Sequence, residues 1–212
     1  MNLKYVVLEG TIPSHGETVF EYHGKDPRFN EVFSKGMFNQ TTMLMKMILS
    51  QYKGFDSLKV LVDVGGGFGA NLAIILSNCD CLHAGVEFVG GDMFESVPSG
   101  DVIFLEWILH DGIEHCVKIL KNCPKALPDN GKVVVVEIIV PEYPEVNDET
   151  SRSFIVDLIM LANNLGGKER TMKEFECLAK DTGFSTFKAY YLWLLDYRIL
   201  QLGGTCYKGW SL

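Results

Sequence analysis

Short, almost wholly apolar runs alternate along the chain with longer segments in which apolar side chains recur every three or four residues. In LKVLVDVGGGFG, Val60 to Val64 form a nearly all-apolar run that ends in glycines. A strand buried on both faces of a parallel sheet reads this way. Asp101 to Trp107 (DVIFLEW) and Lys132 to Val140 (KVVVVEIIV) repeat the pattern, and Asn71–Ser77 and Glu114–Ala126 between them carry helical spacing. The order strand, helix, strand, helix, strand predicts an α/β fold whose sheet is mostly parallel with helices on both faces. Upstream, Asn39 to Tyr52 (NQTTMLMKMILSQY) sets Met43, Met47 and Ile48 at helical spacing, a helix leading into the core. After the polar loop PEYPEVNDET, Glu149 to Asn163 reads as a helix with Phe154, Leu158 and Leu161 on one side. Thr171 can cap a further helix, with Glu174 in capping-box position and Gly183 closing it. The tail FSTFKAYYLWLLDYRILQL offers one or two strands of the kind that sit antiparallel at an edge, although WLLDYRILQL is equally readable as helix.

Composition bounds the rest. The 212 residues, 47% hydrophobic and 22% charged, can bury a substantial core, which excludes disorder. With no internal repeat and no dividing linker, one domain is expected, with residues 1–57 as a helical lead-in and 58–212 as the core. Nineteen Lys and Arg against 27 Asp and Glu leave a net charge of −8, which argues against nucleic acid and anionic membranes as partners. Cys79, Cys81, Cys116, Cys123, Cys177 and Cys206 form no paired CxxC motifs, so reduced, mostly buried thiols and no metal site are expected. Glu9 and Pro13 interrupt the stretch a signal peptide would need, and no run reaches the roughly 18 apolar residues of a membrane span, so the expected location is cytoplasmic.

The first candidate site is the turn from Asp63 through Gly65, Gly66 and Gly67 to Gly69, between a predicted strand and a predicted helix. Glycines there let backbone approach a ligand beside free helix N–H groups. The spacing lacks the third glycine of GxGxxG, and no Lys or Ser/Thr follows as in a P-loop, which favours a nucleotide-type cofactor without phosphates. A tight turn with no ligand is the plainer alternative. In Gly90-Gly91-Asp92-Met93-Phe94 the carboxylate and thioether suit an adenine amino group and ring face, or else an Asx turn beside a core methionine.

LVDVGGGFGA, EFVGGDMFESVPSGDVIFLEWILHD, EHCVKILKNCPKALPDNGKVVVVEIIVP and GGKERTMKEFECLAKDTGF, preceded by FEYHGKDPRFNEVFSKGM, together resemble the catalytic domain of plant caffeic-acid-type O-methyltransferases over roughly Leu8 to Lys188. The resemblance implies a Rossmann-like class I methyltransferase sheet, mostly parallel with an antiparallel edge. It also implies S-adenosylmethionine as cofactor and methylation of a phenolic hydroxyl of a phenylpropanoid or flavonoid. A phenol of pKa about 10 must lose its proton to attack well near neutrality, so a base is required. His110, at the end of DVIFLEW in the crevice beyond the strands' carboxyl ends, suits that task, although a lone histidine is more often structural and it is the HD dipeptide in the family's position that favours the base. Glu137 interrupts an apolar strand, where a carboxylate needs a partner, while Glu169 beside Lys168 and Arg170 has the alternative of an ordinary solvated charge. By resemblance Glu137 and Glu169 flank the catalytic histidine, Asp111 is its neighbour, and Asp63, Gly65, Gly67, Asp92, Met93 and Thr41 hold the cofactor. Met37, Trp107, Met160 and Asn164 face the substrate on the same basis, with Phe29 and Phe33 as aromatic walls, although each could simply be core.

The chain departs from that family in three places. Between Gly69 and Gly91 only ANLAIILSNCDCLHAGVEFVG is available, so one strand-and-helix unit is expected to be missing; Asp80 or Glu87 would have to replace its ribose carboxylate. Glu106 stands where the family resembles a lysine that contacts the cofactor. The N-terminal dimerisation domain is expected to be absent, which puts a homodimer in question. A catalytically inactive methyltransferase-like binding module, or a product without function, is therefore the competing reading. A nicotinamide-dependent dehydrogenase ranks third, since neither glycine turn suits a pyrophosphate.

Overall fold

A computed structural model describes Lys25 and residues 27–56, 58–78, 85–164, 166–192 and 197–205. Cys79, Asp80, Cys81 and Cys206, with part of the FEYHGKDPRFNEVFSKGM stretch, lie outside the described residues. The elements follow in the order α1 (Pro27–Gln51), β1 (Leu61–Asp63), α2 (Ala70–Asn78), β2 (Val102–Glu106), α3 (Ile113–Ala126), β3 (Lys132–Ile138), α4 (Asp148–Asn163), α5 (Met172–Asp181), β4 (Phe184–Tyr191) and β5 (Tyr197–Thr205). They form a five-stranded sheet of order β1-β2-β3-β5-β4. Strands β1, β2 and β3 run parallel, and β5 and β4 close that side antiparallel. The ambiguous tail is thus strand from Tyr197 onward, because β5 pairs in register with β3 from Ile138–Tyr197 to Lys132–Gly203.

The near-continuous apolar runs of β2 and β3 are explained by burial on both faces, whereas β1, read in the sequence as buried the same way, is only half-buried at the sheet edge. Ile103, Leu105, Val133 and Val135 point into one cluster with Ile119 and Leu120 of α3 and Phe175 and Leu178 of α5. Val102, Phe104, Val134 and Val136 point the other way, into Leu44, Met45 and Ile48 of α1, Ile75 of α2, and Tyr52 and Phe55. Each such side chain contributes on the order of 1.5–3 kcal/mol. A one-residue slip would send every one to the wrong layer, so burial on both faces fixes the register.

Three expectations need correction. Helix α1 begins at Pro27, a residue preorganised for a helix start, rather than at Asn39. Its inward stripe is Thr41, Leu44, Met45 and Ile48, which leaves Met43 half exposed. On α4 the buried positions are the small residues Thr150, Ser153 and Ala162, so that the helix lies close, and Leu158 faces outward at 40% exposure. Helix α5 carries the full Thr171–Glu174 capping box, and Gly183 follows it with φ 97°. Between α2 and β2 no strand occurs among the described residues, so β1 is the sheet edge there. No helix among them is long and apolar enough to cross a membrane.

Candidate active site at the carboxyl ends of the strands

Because β1, β2 and β3 are parallel, their carboxyl ends share one rim, and that rim carries Asp63, Glu106 and Glu137. After Asp63 the chain turns through Gly65 at φ 73° and Gly67 at φ 53°, a left-handed region that glycine alone occupies without strain. Gly66 has a different task. A Cβ there would stand 2.2 Å from Asp63 Oδ2, so its absence makes room for the carboxylate. Asn71 Nδ2, in the first turn of α2, donates to Asp63 Oδ1 at 3.4 Å, and Thr41 Oγ1 of α1 donates to Glu106 Oε2 at 3.1 Å. Burial pushes the Asp63 carboxyl up to about 7, against the pull of the Asn71 amide and with the charge of Glu106 adding to the rise. Burial likewise lifts Glu106 to about 6, with Asn71 and Thr41 opposing and Glu137 adding.

On the other side of Glu106, Trp107 takes φ 55°, the only positive φ outside glycine among the described residues. Such strain marks sites that the surrounding fold holds in place. Its ring stacks on Tyr197 at 5.8 Å, and Tyr197 accepts from Gln40 of α1. Directly afterwards, the N–H groups of Ile108 and Leu109 both donate to Glu137 Oε1, at 2.8 and 2.6 Å. Glu137 is fully buried, and these two charge-assisted bonds are what make its burial tolerable. Its second oxygen faces His110 Nδ1 at 3.6 Å, and Glu169 Oε1 stands 3.9 Å from the same nitrogen. Both separations are longer than an ordinary hydrogen bond. Burial pulls the His110 pKa down, but Glu137 above all, then Glu169 and Asp111, more than offset this and raise it above its ordinary 6.5. Glu169, only 3% exposed, is pushed up to about 8 by burial and by repulsion from Glu137, against the attraction of His110. It is no solvated charge.

The loop bearing His110 is anchored by residues that the pattern of the sequence does not single out. Arg170, 3% exposed, donates from Nη1 to the Leu109 carbonyl and from Nη2 to the Asp111 carbonyl at 2.7 Å. Lys168 N donates to the His110 carbonyl, and Asp157 of α4 accepts from Glu169 N. Asn164 Nδ2 bonds Asp111 Oδ1 at 3.1 Å and lies 3.9 Å from the Met160 sulfur. Asp111, Trp107, Met160 and Asn164 are therefore tied to one constellation with His110, Glu137 and Glu169. Met37 stands one turn before Thr41 on α1; Phe29 and Phe33 lie farther along that helix, more than a third exposed and stacked on each other at 6.5 Å. Asp92 Oδ1 accepts from Phe94 N in an Asx turn, and Met93 packs partly buried against the core, the plainer of the two readings of GDMF. Cys116, Cys123 and Cys177 are free thiols. Chemically, His110, Glu137 and Glu169 can trade a proton. Their donor atoms, all within 4.8 Å of one another, also make up a possible metal-ligand set.

The family model for the O-methyltransferase domain matches residues 2–82 and 79–185. The chain belongs to that family. Caffeic acid 3-O-methyltransferase of Zinnia elegans is 52% identical over 219 residues, taking in 92% of this chain and 62% of the relative. Esculetin O-methyltransferase of Kitagawia praeruptora is 51% identical over 220 residues, taking in 92% and 60%. The O-methyltransferase chain thus spans about three fifths of the length of the curated relatives it matches. The alignment with the Zinnia enzyme is longer than the part of this chain it includes, so that relative carries residues with no counterpart here. Among solved structures, human N-acetylserotonin methyltransferase in complex with S-adenosylmethionine superposes with a TM-score of 0.82 at 21% identity, over 96% of this chain and 66% of that one. This likeness extends to the fold, a Rossmann-like sheet with an antiparallel edge.

Proposed function

We propose that this O-methyltransferase domain transfers a methyl group from S-adenosylmethionine to a phenolic hydroxyl of a small aromatic substrate, with His110 as general base. The observation that carries the reading is the imidazole whose Nδ1 faces buried Glu137 and Glu169 at the carboxyl end of the sheet. With Nδ1 so occupied, Nε2 is the atom left to take the phenol proton, and Glu137 stabilises the imidazolium that results. The rise of the His110 pKa means that the neutral base is populated on the alkaline side, so turnover increases as pH climbs past 6.5.

The residues fit the cofactor at its charged end. Asp63, Asn71 and Glu106 present buried oxygens without hydrogen-bond partners beside the glycine turn, a donor set suited to a cation. Gly65 and Gly67 would give close backbone approach there, with Thr41 behind Glu106 and with Asp92 and Met93 flanking. When bound, S-adenosylmethionine supplies an electrophilic methyl on a sulfonium. The chain's own part is to orient the acceptor ring, for which Trp107, Met160, Asn164 and Met37 are the candidates, and to remove its proton. The relatives' substrates, caffeic acid and esculetin, fix the class to test first.

Calorimetric titration with S-adenosylmethionine and its demethylated product, followed by methyl-transfer assays on caffeic acid and a flavonoid panel, tests the proposal. Binding is expected, and His110→Ala should keep it while abolishing turnover. No heat at millimolar ligand overturns the cofactor reading, and retained turnover removes His110. Chelation by EDTA should leave activity unchanged; loss that zinc restores would turn the His110 cluster into a metal site. Because β1 is the edge of the described sheet, binding without transfer is the second reading, and the same assays separate the two.

A further inference from the structure

Asp63 ends β1 opposite Phe104, and Glu106 ends β2, its parallel neighbour, two residues farther on and so on the same face of the sheet. Asn71, 4% exposed, stands beside them with its Nδ2 committed to Asp63 Oδ1. Thr41 serves Glu106 Oε2. Three buried oxygens remain without any donor: Asp63 Oδ2, Asn71 Oδ1 and Glu106 Oε1. Among the described residues no Lys, Arg or His comes within 4.0 Å of either carboxylate. A buried cluster that offers acceptors and no donors carries an unmet desolvation cost. An –NH3+ group brings three N–H donors and one positive charge, the complement of what is missing.

We propose that Asp63, Asn71 and Glu106 form a pocket for a primary ammonium group, and that the carboxylate pair favours ligands whose ammonium has no carboxylate beside it. The second half follows from distance. In an α-amino acid the carboxylate sits two bonds from the ammonium, beside the same two carboxyl groups, which a bound ammonium draws into their ionised form. An amine-ended ligand brings the attraction without that repulsion. The inference rests on the reading of the glycine turn as the site of an adenosyl ligand and narrows the class of ligand it takes.

Three ligands that share a neutral thioether sulfur isolate the effect in calorimetry on the full chain. 5′-Methylthioadenosine has no ammonium, S-adenosylhomocysteine has ammonium and carboxylate, and S-adenosyl-3-thiopropylamine has the ammonium alone. The amine should bind at least about tenfold tighter than S-adenosylhomocysteine, and Glu106→Gln, which keeps shape and removes charge, should reduce that gap to about threefold or less. In parallel, methylammonium should raise the melting temperature above that in tetramethylammonium, which lacks N–H donors, at equal ionic strength. If 5′-methylthioadenosine binds and the amine gains nothing over it, the pocket is refuted while the adenosyl site stands. If no nucleoside binds but methylammonium alone stabilises, the pocket stands and the adenosyl reading falls. Equal effects of the two salts, or an amine preference untouched by Glu106→Gln, overturn the proposal.

Discussion

Replacing Glu137 by Gln tests the electrostatics of the site without any appeal to turnover. The amide keeps an oxygen for the Ile108 and Leu109 N–H groups and removes the charge that faces His110 Nδ1 at 3.6 Å. At that separation and an effective dielectric near 20, the lost attraction is about 4.6 kcal/mol, which corresponds to roughly three pKa units. Residual solvent and rearrangement of Glu169 will reduce this, so a fall of at least about one unit is expected. Burial, the largest single influence on the imidazole, then acts with less opposition and carries the pKa from above 6.5 to below it. Glu169 should move in the same direction, because repulsion from Glu137 is the second cause of its rise. Two charge-assisted bonds become ordinary ones, at a cost of about 1–2 kcal/mol in stability. The assay is an NMR titration of the imidazole carbon-bound protons, with His110 assigned among the five histidines by a His110→Gln spectrum. A His110 pKa that does not move in Glu137→Gln refutes the assignment of Glu137 as its counter-charge.

Arg170→Met removes the donors to the Leu109 and Asp111 carbonyls and should cost about 2–4 kcal/mol in urea unfolding, whereas a loss within error would mean that other donors hold the loop. Gly66→Ala forces a Cβ to 2.2 Å from the Asp63 carboxylate and should lower stability by about 1–3 kcal/mol and weaken adenosyl-ligand binding; a neutral result would show that Asp63 swings freely. Asp63, Glu106, Glu169 and His110 all hold protons more tightly folded than unfolded. Their stabilisation is complete below the unfolded pKa values and lost as pH rises through the folded ones, so the melting temperature should fall from pH 5 to pH 8, and a rise over that window would contradict the shifts.

Much of this was legible in the sequence, for reasons that differ by region. The runs at Val102–Glu106 and Lys132–Ile138 announced themselves because strands buried on both faces admit almost nothing but apolar residues. The Thr171–Glu174 capping box is a local interaction and needed no tertiary knowledge. His110 was singled out by its place after β2 together with the family resemblance, since a lone histidine by itself is more often structural. Arg170 did not, because its role is to satisfy carbonyls about sixty residues away, and no local spacing encodes that. Asn71 left one weak signal, an amide in the otherwise apolar start of α2, but its partner, Asp63, lies at the end of β1. The outward set of Met43 and Leu158 was missed for a related reason. Periodicity says that a helix has faces, while the neighbour it packs against decides which residues turn inward.

The rim of the sheet shows how compensation of buried charge divides the site. Glu137 on β3 is answered from within the protein by two backbone N–H groups at one oxygen, while its other oxygen, without a hydrogen-bond partner, faces the His110 imidazole at 3.6 Å. Glu106 on β2 has one hydroxyl for one of its oxygens, and Asp63 on β1 has one long amide contact. Internal compensation therefore weakens from the sheet centre toward the β1 edge. A group that must be poised in advance, such as a base, belongs where the protein supplies its own counter-charge. A binding pocket gains selectivity where it does not, since a guest that brings the missing charge and donors is then favoured over one that does not. On the proposed reading the two ends of one acidic rim would take different tasks, support of the base His110 at Glu137 and recognition of a cation at Asp63 and Glu106, although the same parallel strands position both.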